Sequence, residues 1–229
     1  MFFAPFLAFY TVLFFALLTG IFFMLEIGAI NYAFGALGLP PELALTALMA
    51  SLVGSYINIP LAQIDSGDSQ VPDVIRSFGV LYRVPLNYVR GATTLAVNVG
   101  GAIVPLLISV CVLVHQPAAI MPSALGTLVL ALLVHRWARP VRGLGIAVPM
   151  FIPPIFAAVT AWVMGGLFGG YGHVDAIAYV GGVFGTLIGA DIANLGKLRE
   201  LGAPVASIGG AGTFDGVFLT GIVAVLLLA

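Results

Sequence analysis

Residues 181–221 read GGVFGTLIGADIANLGKLRELGAPVASIGGAGTFDGVFLTG. Two acids, Asp191 and Asp215, sit in sequence otherwise apolar enough for a bilayer, and the rest of the chain reads as scaffold for them. Of the 229 residues, 61% are hydrophobic and 7% charged, too few polar groups to cover a globular surface. The solvent of such a chain is largely lipid, and the expected fold class is an all-α, polytopic helical membrane protein with residues 1–229 as a single domain.

Outward from that stretch, apolar runs of the roughly 20 residues that a bilayer requires divide the chain into about seven spans: 3–25, 42–62, 94–114, 117–135, 144–168, 176–195 and 207–228. The first has no basic flank or A-x-A cleavage site and reads as a retained helix, not a signal peptide. The second is the weakest, because Pro60 follows a polar Ser55-Tyr56-Ile57-Asn58.

All eight Lys and Arg fall in three connections: Arg76, Arg83 and Arg90; Arg136, Arg139 and Arg142; Lys197 and Arg199. The other connections carry Glu26, Glu42, His115, His173 and Asp175. The positive-inside rule then puts the basic side and the N-terminus in the cytoplasm and the C-terminus outside, in the cell (inner) membrane. Residues 63–93 form the longest polar connection, cytoplasmic and partly interfacial. Its Arg76, Arg83 and Arg90 recur every seven residues, the spacing of one face of a helix at the headgroups, although Pro85 interrupts it.

Depth follows from the span ends at 1.5 Å per residue: Asp191 lies roughly 6 to 8 Å, and Asp215 roughly 12 Å, from the same cytoplasmic edge. The short connection between spans six and seven makes them antiparallel neighbours, so the acids can approach each other. Asn58 and Pro60, Asn98 with Gly100 and Gly101, and Gly145 with Pro149 break the spans at the same level, which points to a polar cavity there. Asn58, Asn98, Asn194, Gly210, Gly212, Thr213 and Gly216 are its candidate substrate- or ion-binding residues. Gly181, Gly185 and Gly189 form a small-residue row for close helix packing, and helical phase turns Asp191 away from it, toward a different neighbour.

A carboxylate in hydrocarbon is costly, so a functional role is the default. Two that share a site hold a single proton between them, which suits an aspartyl protease and equally a proton- or cation-coupled carrier. A non-catalytic assembly protein is the third class, supported by the glycine rows. The partners expected are the lipid bilayer and either a transmembrane peptide or a small ion or solute.

Net charge is −1, which excludes a basic surface for nucleic acid. Cys111 is the single cysteine and the histidines stand apart, so no metal or other cofactor is expected. Asp65, Gly67, Asp68 and Asp73 lack the order and terminal Glu of a calcium loop.

GSYINIPL (54–61), NVGGAIVPL (98–106), GIAVP (145–149), GTLIGADIANL (185–195) and SIGGAGTFDGVFLTGI (207–222) resemble an uncharacterised domain-of-unknown-function family of prokaryotic multi-spanning membrane proteins. The placement of Asp191 and Asp215 is also similar to that of the intramembrane aspartyl proteases of the GxGD type, the presenilin and signal-peptide-peptidase kind. That likeness implies catalytic roles for Asp191 and Asp215. The motif here reads GAGTFD, with Thr213 and Phe214 before the acid, and no Tyr precedes Asp191.

Overall fold

The structure, a computed structural model, describes residues 5–65, 74–77, 80–83, 92–141, 145–168, 171–200, 205–210 and 216–229. Apolar runs make its helices, as expected: α1 (Pro5–Ala36), α2 (Pro41–Gly54), α3 (Val104–His115), α4 (Ile120–Trp137), α5 (Ile152–Leu167), α6 (Val174–Thr186) and α7 (Gly216–Leu226). Among the described residues three helical stretches, Thr11–Ala36, Pro117–Trp137 and Val174–Leu198, are long and apolar enough to cross a membrane. Apolar side chains such as Leu107, Leu132 and Trp162 cover the outside of the bundle, as a helix surface in an apolar solvent would be covered.

The chain is mostly helical but not all-α. The expected second span ends at Gly54, and Asn58–Asp65 continues as a strand, β1. The expected third span starts as a strand, β4 (Ala92–Asn98), and enters α3 through the π-helical turn Val99–Ile103. The expected seventh begins as β7 (Val205–Ile208), and its helix starts at Gly216. The three strands form one sheet in the order β1-β4-β7, with β1 antiparallel and β7 parallel to β4. Pro60 thus ends no helix. It occupies an edge strand beside a register shift, where a missing N–H costs no ladder bond.

Arg76 and Arg83 are not on a helix face either. They belong to β2 (Val74–Ser77) and β3 (Val80–Arg83), an antiparallel pair in which Val74 faces Arg83 and Arg76 faces Leu81. The β-branched and aromatic residues of VIRS and VLYR favour strands, and a seven-residue interval between charges does not override that preference. Arg90 lies outside the described residues. A third pair, β5 (Arg139–Val141) with β6 (Gly145–Ala147), follows α4. Every described strand therefore comes from a connection that carries basic residues, or borders one.

The connections opposite are tied together by one side chain. Gln116, after α3, donates from Nε2 to Leu37 O at 2.9 Å, and its Oε1 lies 2.9 Å from His173 Nδ1. This gathers the α1–α2, α3–α4 and α5–α6 turns at one end of the bundle. Glu26 is not in a connection; it is inside α1.

The core centres on α6, which packs against α4, α5 and α7. Ala176, Ile177, Ala178, Tyr179, Val180 and Val183 are all at most 2% exposed. The glycine row meets α4 as its spacing implies. A Cβ at Gly181 would stand 3.7 Å from Gly126 C, at Gly185 2.8 Å from Leu130 Cβ, and at Gly189 2.4 Å from Ala131 O. The partner numbers rise together, so α4 and α6 run in the same direction, as alternate spans do. On another face of α6, Gly182 meets Thr220 and Gly221 of α7, while Gly221 lies under the Tyr179 ring.

Candidate functional site

Asp191 closes the π-helical turn Leu187–Asp191 that continues α6. A wide turn of this kind re-aims the side chains that follow it, and such turns recur at functional positions. Asp191 is half-buried, and its Oδ2 accepts the backbone N–H of Gly209 at 2.7 Å. The acid therefore faces away from the glycine row and toward the segment just after β7.

That segment is a tight turn. Gly210 N donates to Ser207 O at 3.2 Å, and Gly209, third of the four residues, has φ +74°. A positive φ at this place is what a type II turn requires, and glycine adopts it without a Cβ clash. The turn presses on the start of the α3 segment: a Cβ at Gly209 would stand 2.6 Å from Gly101 C and O. Asp191, β7 and the entry to α3 thus meet at one point, where the sheet joins the bundle.

Beside it lies an amide and hydroxyl network. Asn58 opens β1, Asn98 closes β4, and the two face each other in the ladder. Asn98 Nδ2 donates to Ser55 O at 2.7 Å and to Asn58 Oδ1 at 3.1 Å, and Asn98 Oδ1 caps the π-helical turn by accepting Gly101 N–H at 2.8 Å. Ser207 Oγ donates to Asn58 Oδ1 at 2.5 Å, which links β7 to β1 across the end of β4. Asn98 is 2% exposed, so its bonds satisfy polar groups that water does not reach. Gly210 belongs here too, since a Cβ on it would stand 3.0 Å from Asn98 Cβ. Close by, α2 and the α3 entry touch backbone to backbone: a Cβ at Gly100 would stand 2.0 Å from Ser51 O.

The structure thus brings together Asp191, Asn58, Asn98 and Gly210 of the residues expected to act. Asn194 lies apart from these. It is fully buried in a separate cluster, with Nδ2 donating to Ala190 O at 2.8 Å and lying 3.2 Å from His135 Nδ1, while Lys197 Nζ donates to its Oδ1 at 2.8 Å. Its amide is consumed in holding the 3-10 helix Ile192–Glu200 onto α4. Gly216 begins α7, and among the described residues nothing lies within 4 Å of a Cβ placed on it. Asp215, Gly212 and Thr213 lie outside the described residues, as do Gly67, Asp68 and Asp73.

Ser55, Ser207 and Gly209 are additions. The sequence signal for them is small: each is a small residue flanking a short β-branched run, where strands and helices share the same composition. Among the described residues, no group of three or more His, Cys, Asp or Glu side chains could hold a metal ion.

The family model described as "Protein of unknown function (DUF1614)" matches residues 52–227, from the end of α2 into the C-terminal helix. No curated protein and no solved structure matches the chain.

Proposed function

We propose, for a chain that belongs to this family of unknown function, a multi-pass protein of the cell (inner) membrane whose basic side faces the cytoplasm. In this reading Asp191 and Asp215 form an acid–base pair that hydrolyses a peptide bond in a membrane-spanning substrate. The observation that carries it is the hydrogen bond from Gly209 N–H to Asp191 Oδ2. It ties the first acid to the glycine-rich segment that holds the second, and Asp215 directly precedes α7, the helix packed on α6. One oxygen of Asp191, Oδ2, is held by the Gly209 N–H.

In the chemistry of such a pair, the ionised carboxylate takes a proton from water, whose oxygen adds to the scissile carbonyl carbon. The protonated carboxyl gives its proton to the carbonyl oxygen. The diol then collapses: the carboxyl that took the proton from water gives it to the amide nitrogen, the other carboxylate takes a proton back from a diol hydroxyl, the C–N bond breaks, and an amine and a carboxylic acid leave. A membrane helix must unwind before its amide can be attacked. The sheet beside Asp191 supports that step, because a strand edge offers an unwound segment backbone hydrogen bonds in place of those it loses.

A second reading, a proton- or cation-coupled carrier, is favoured by the two π-helical turns, Val99–Ile103 and Leu187–Asp191, that flank the site. Interrupted helices are how many carriers expose backbone carbonyls to an ion.

The test is purified protein in liposomes with a panel of transmembrane peptides. The hydrolase reading requires cleavage that Asp191→Asn and Asp215→Asn each reduce by at least about a hundredfold with the fold intact. Proton or cation flux that needs the same acids, without cleavage, moves the assignment to the carrier. Cleavage that survives both substitutions overturns the acid-pair mechanism.

A further inference from the structure

A chain of three polar side chains runs from the 3-10 helix Ile192–Glu200 to α4 and ends on the turn that carries Asp191. Lys197 Nζ donates to Asn194 Oδ1 at 2.8 Å. An ammonium only donates, so the amide oxygen faces Lys197 and the amide nitrogen faces the other way. That nitrogen lies 2.8 Å from Ala190 O, 3.1 Å from Gly189 O and 3.2 Å from His135 Nδ1. His135 Nδ1 is also 3.3 Å from Gly189 O.

Counting hydrogens makes this arrangement two-valued. The Asn194 amide has two hydrogens and three acceptors within reach. The shortest contact, to Ala190 O, takes one; the other goes either to Gly189 O or to His135 Nδ1. The imidazole decides between them. A neutral ring with its lone pair on Nδ1 accepts from Asn194, and Gly189 O then receives neither donor. A charged ring carries hydrogens on both nitrogens. Nδ1 becomes a donor to Gly189 O, the amide hydrogen returns to the same carbonyl, and two hydrogen bonds stand where there were none. Histidine ordinarily changes charge between about pH 5 and 8. His135 is half-buried near the end of α4, within reach of solvent protons.

The carbonyl at stake has no slack around it. Gly189 lies inside the π-helical turn Leu187–Asp191, and a Cβ on it would run into Ala131 O, so the turn rests directly on the backbone of α4. Asp191, two residues on, closes the same turn and is held from the other side by the Gly209 N–H. A change in how firmly α4 holds Gly189 O is therefore passed to the carboxylate.

We infer that His135 and Asn194 are positioning residues for Asp191, and that the charge on the imidazole sets where the turn holds the acid. The inference rests on Asp191 as the acting acid of the proposed function and is the same for either chemistry. The charged groups that accompany His135 are Lys197 from the 3-10 helix, Asp191 from the turn, and Arg136 and Arg139 next along its own chain. Neither α5 nor β6 has a titratable side chain, and α6 brings Tyr179 and, at its far end, Asp175. Arg142 and the side chains of Arg199 and Glu200 lie outside the described residues.

The test is nuclear magnetic resonance of the full chain in lipid nanodiscs, labelled with 15N at histidine Nδ1 and 13C at the aspartate carboxyl, from about pH 8 to 5. His135→Gln and Asp191→Asn assign the two signals. His135 Nδ1 is expected to be bare at the high end and to gain a proton as pH falls. The Asp191 signal is expected to shift at that same pH, apart from its own titration. His135→Gln keeps a donor and an acceptor but takes up no proton, so this second shift is expected to disappear while the melting temperature shows the fold intact. Asn194→Ala is expected to remove it too while His135 still titrates, because without the amide Nδ1 keeps its hydrogen on Gly189 O in both charge states. A charge felt only through space would survive Asn194→Ala. Asn194 is fully buried, and His135→Gln decides alone where Asn194→Ala does not fold. An Nδ1 that holds its proton throughout, the absence of a second shift, or a second shift that survives either substitution would overturn the inference. Peptide cleavage in liposomes is scored apart: coupling without cleavage removes the hydrolase reading alone, and cleavage without coupling removes this inference alone.

Discussion

Gly209→Ala is the substitution that the site geometry bears on most directly. Three costs add. An L-residue at φ +74° loses about 1–2 kcal/mol in left-handed backbone. The new Cβ meets Gly101 C and O at 2.6 Å and Ala102 N at 2.8 Å, all backbone, so the turn or the α3 entry must move, at about 1–3 kcal/mol. That movement lengthens the bond from Gly209 N–H to Asp191, which loses about 1 kcal/mol or more. The sum is about 4 kcal/mol, a fall of about 8–16 °C in melting temperature for a domain of this size. Gly145→Ala is a reference for backbone strain without a clash, because Gly145 has φ +116° and nothing among the described residues lies within 4 Å of a Cβ there. The assay is thermal unfolding in detergent followed by fluorescence of Trp137 and Trp162. A cycle with Asp191→Ala then asks whether the carboxylate shares in the loss, with a coupling of about 1 kcal/mol expected. If Gly209→Ala melts no lower than Gly145→Ala, or the cycle shows no coupling, the reasoning that joins Asp191 to this turn is wrong.

Further substitutions follow from the packing of α6 on α4 and from the Asn98 bonds. Gly189→Ala drives a Cβ to 2.4 Å from a backbone oxygen of α4, and Gly185→Ala drives one to 2.8 Å from Leu130 Cβ, which side-chain rotation does not move and which belongs to a fully buried residue; each is expected to cost about 2–4 kcal/mol, read as a lowered melting temperature. Asn98→Ala removes three hydrogen bonds at the sheet–bundle junction, for a loss of about 3 kcal/mol by the same measure. Asn98→Asp is expected to be worse still, because it sets a carboxylate against Ser55 O and Asn58 Oδ1.

The bundle was legible because hydropathy and charge are integrated over whole segments. The apolar runs found the helices, and the sign of the connections put Gln116 and the strands at opposite ends. Helical phase at Gly181, Gly185 and Gly189 also separated the face that packs on α4 from the one that carries Asp191. The strands were not legible, for a physical reason. Ser-Tyr-Ile-Asn-Ile-Pro-Leu and Thr-Thr-Leu-Ala-Val-Asn are short, β-branched and apolar, and a hydropathy window registers apolarity without regard to backbone. Where such a run abuts a helix, the two merge into one apparent span. Asn194, three residues from Asp191 in sequence, spends its amide on the carbonyls of Gly189 and Ala190, a pairing that sequence proximity to the acid does not reveal. Gly209 was hidden because its contribution is a backbone N–H, which every residue but proline has.

The parallel pairing of β4 with β7 sets an order of events. Thr94 pairs with Val205 and Val97 with Ile208, partners more than a hundred residues apart, whereas β1 and β4 are joined by a much shorter loop. Contacts this distant form late, because the loop between them must be closed first. A chain emerging from the ribosome can form its helices up to α6 and pair β1 with β4 while Asp191 still has no donor from Gly209. Only when Gly209 has been made and β7 has docked is the acid fixed. The third strand therefore acts as a completion check: until translation has passed it, the molecule is a bundle of helices without a site.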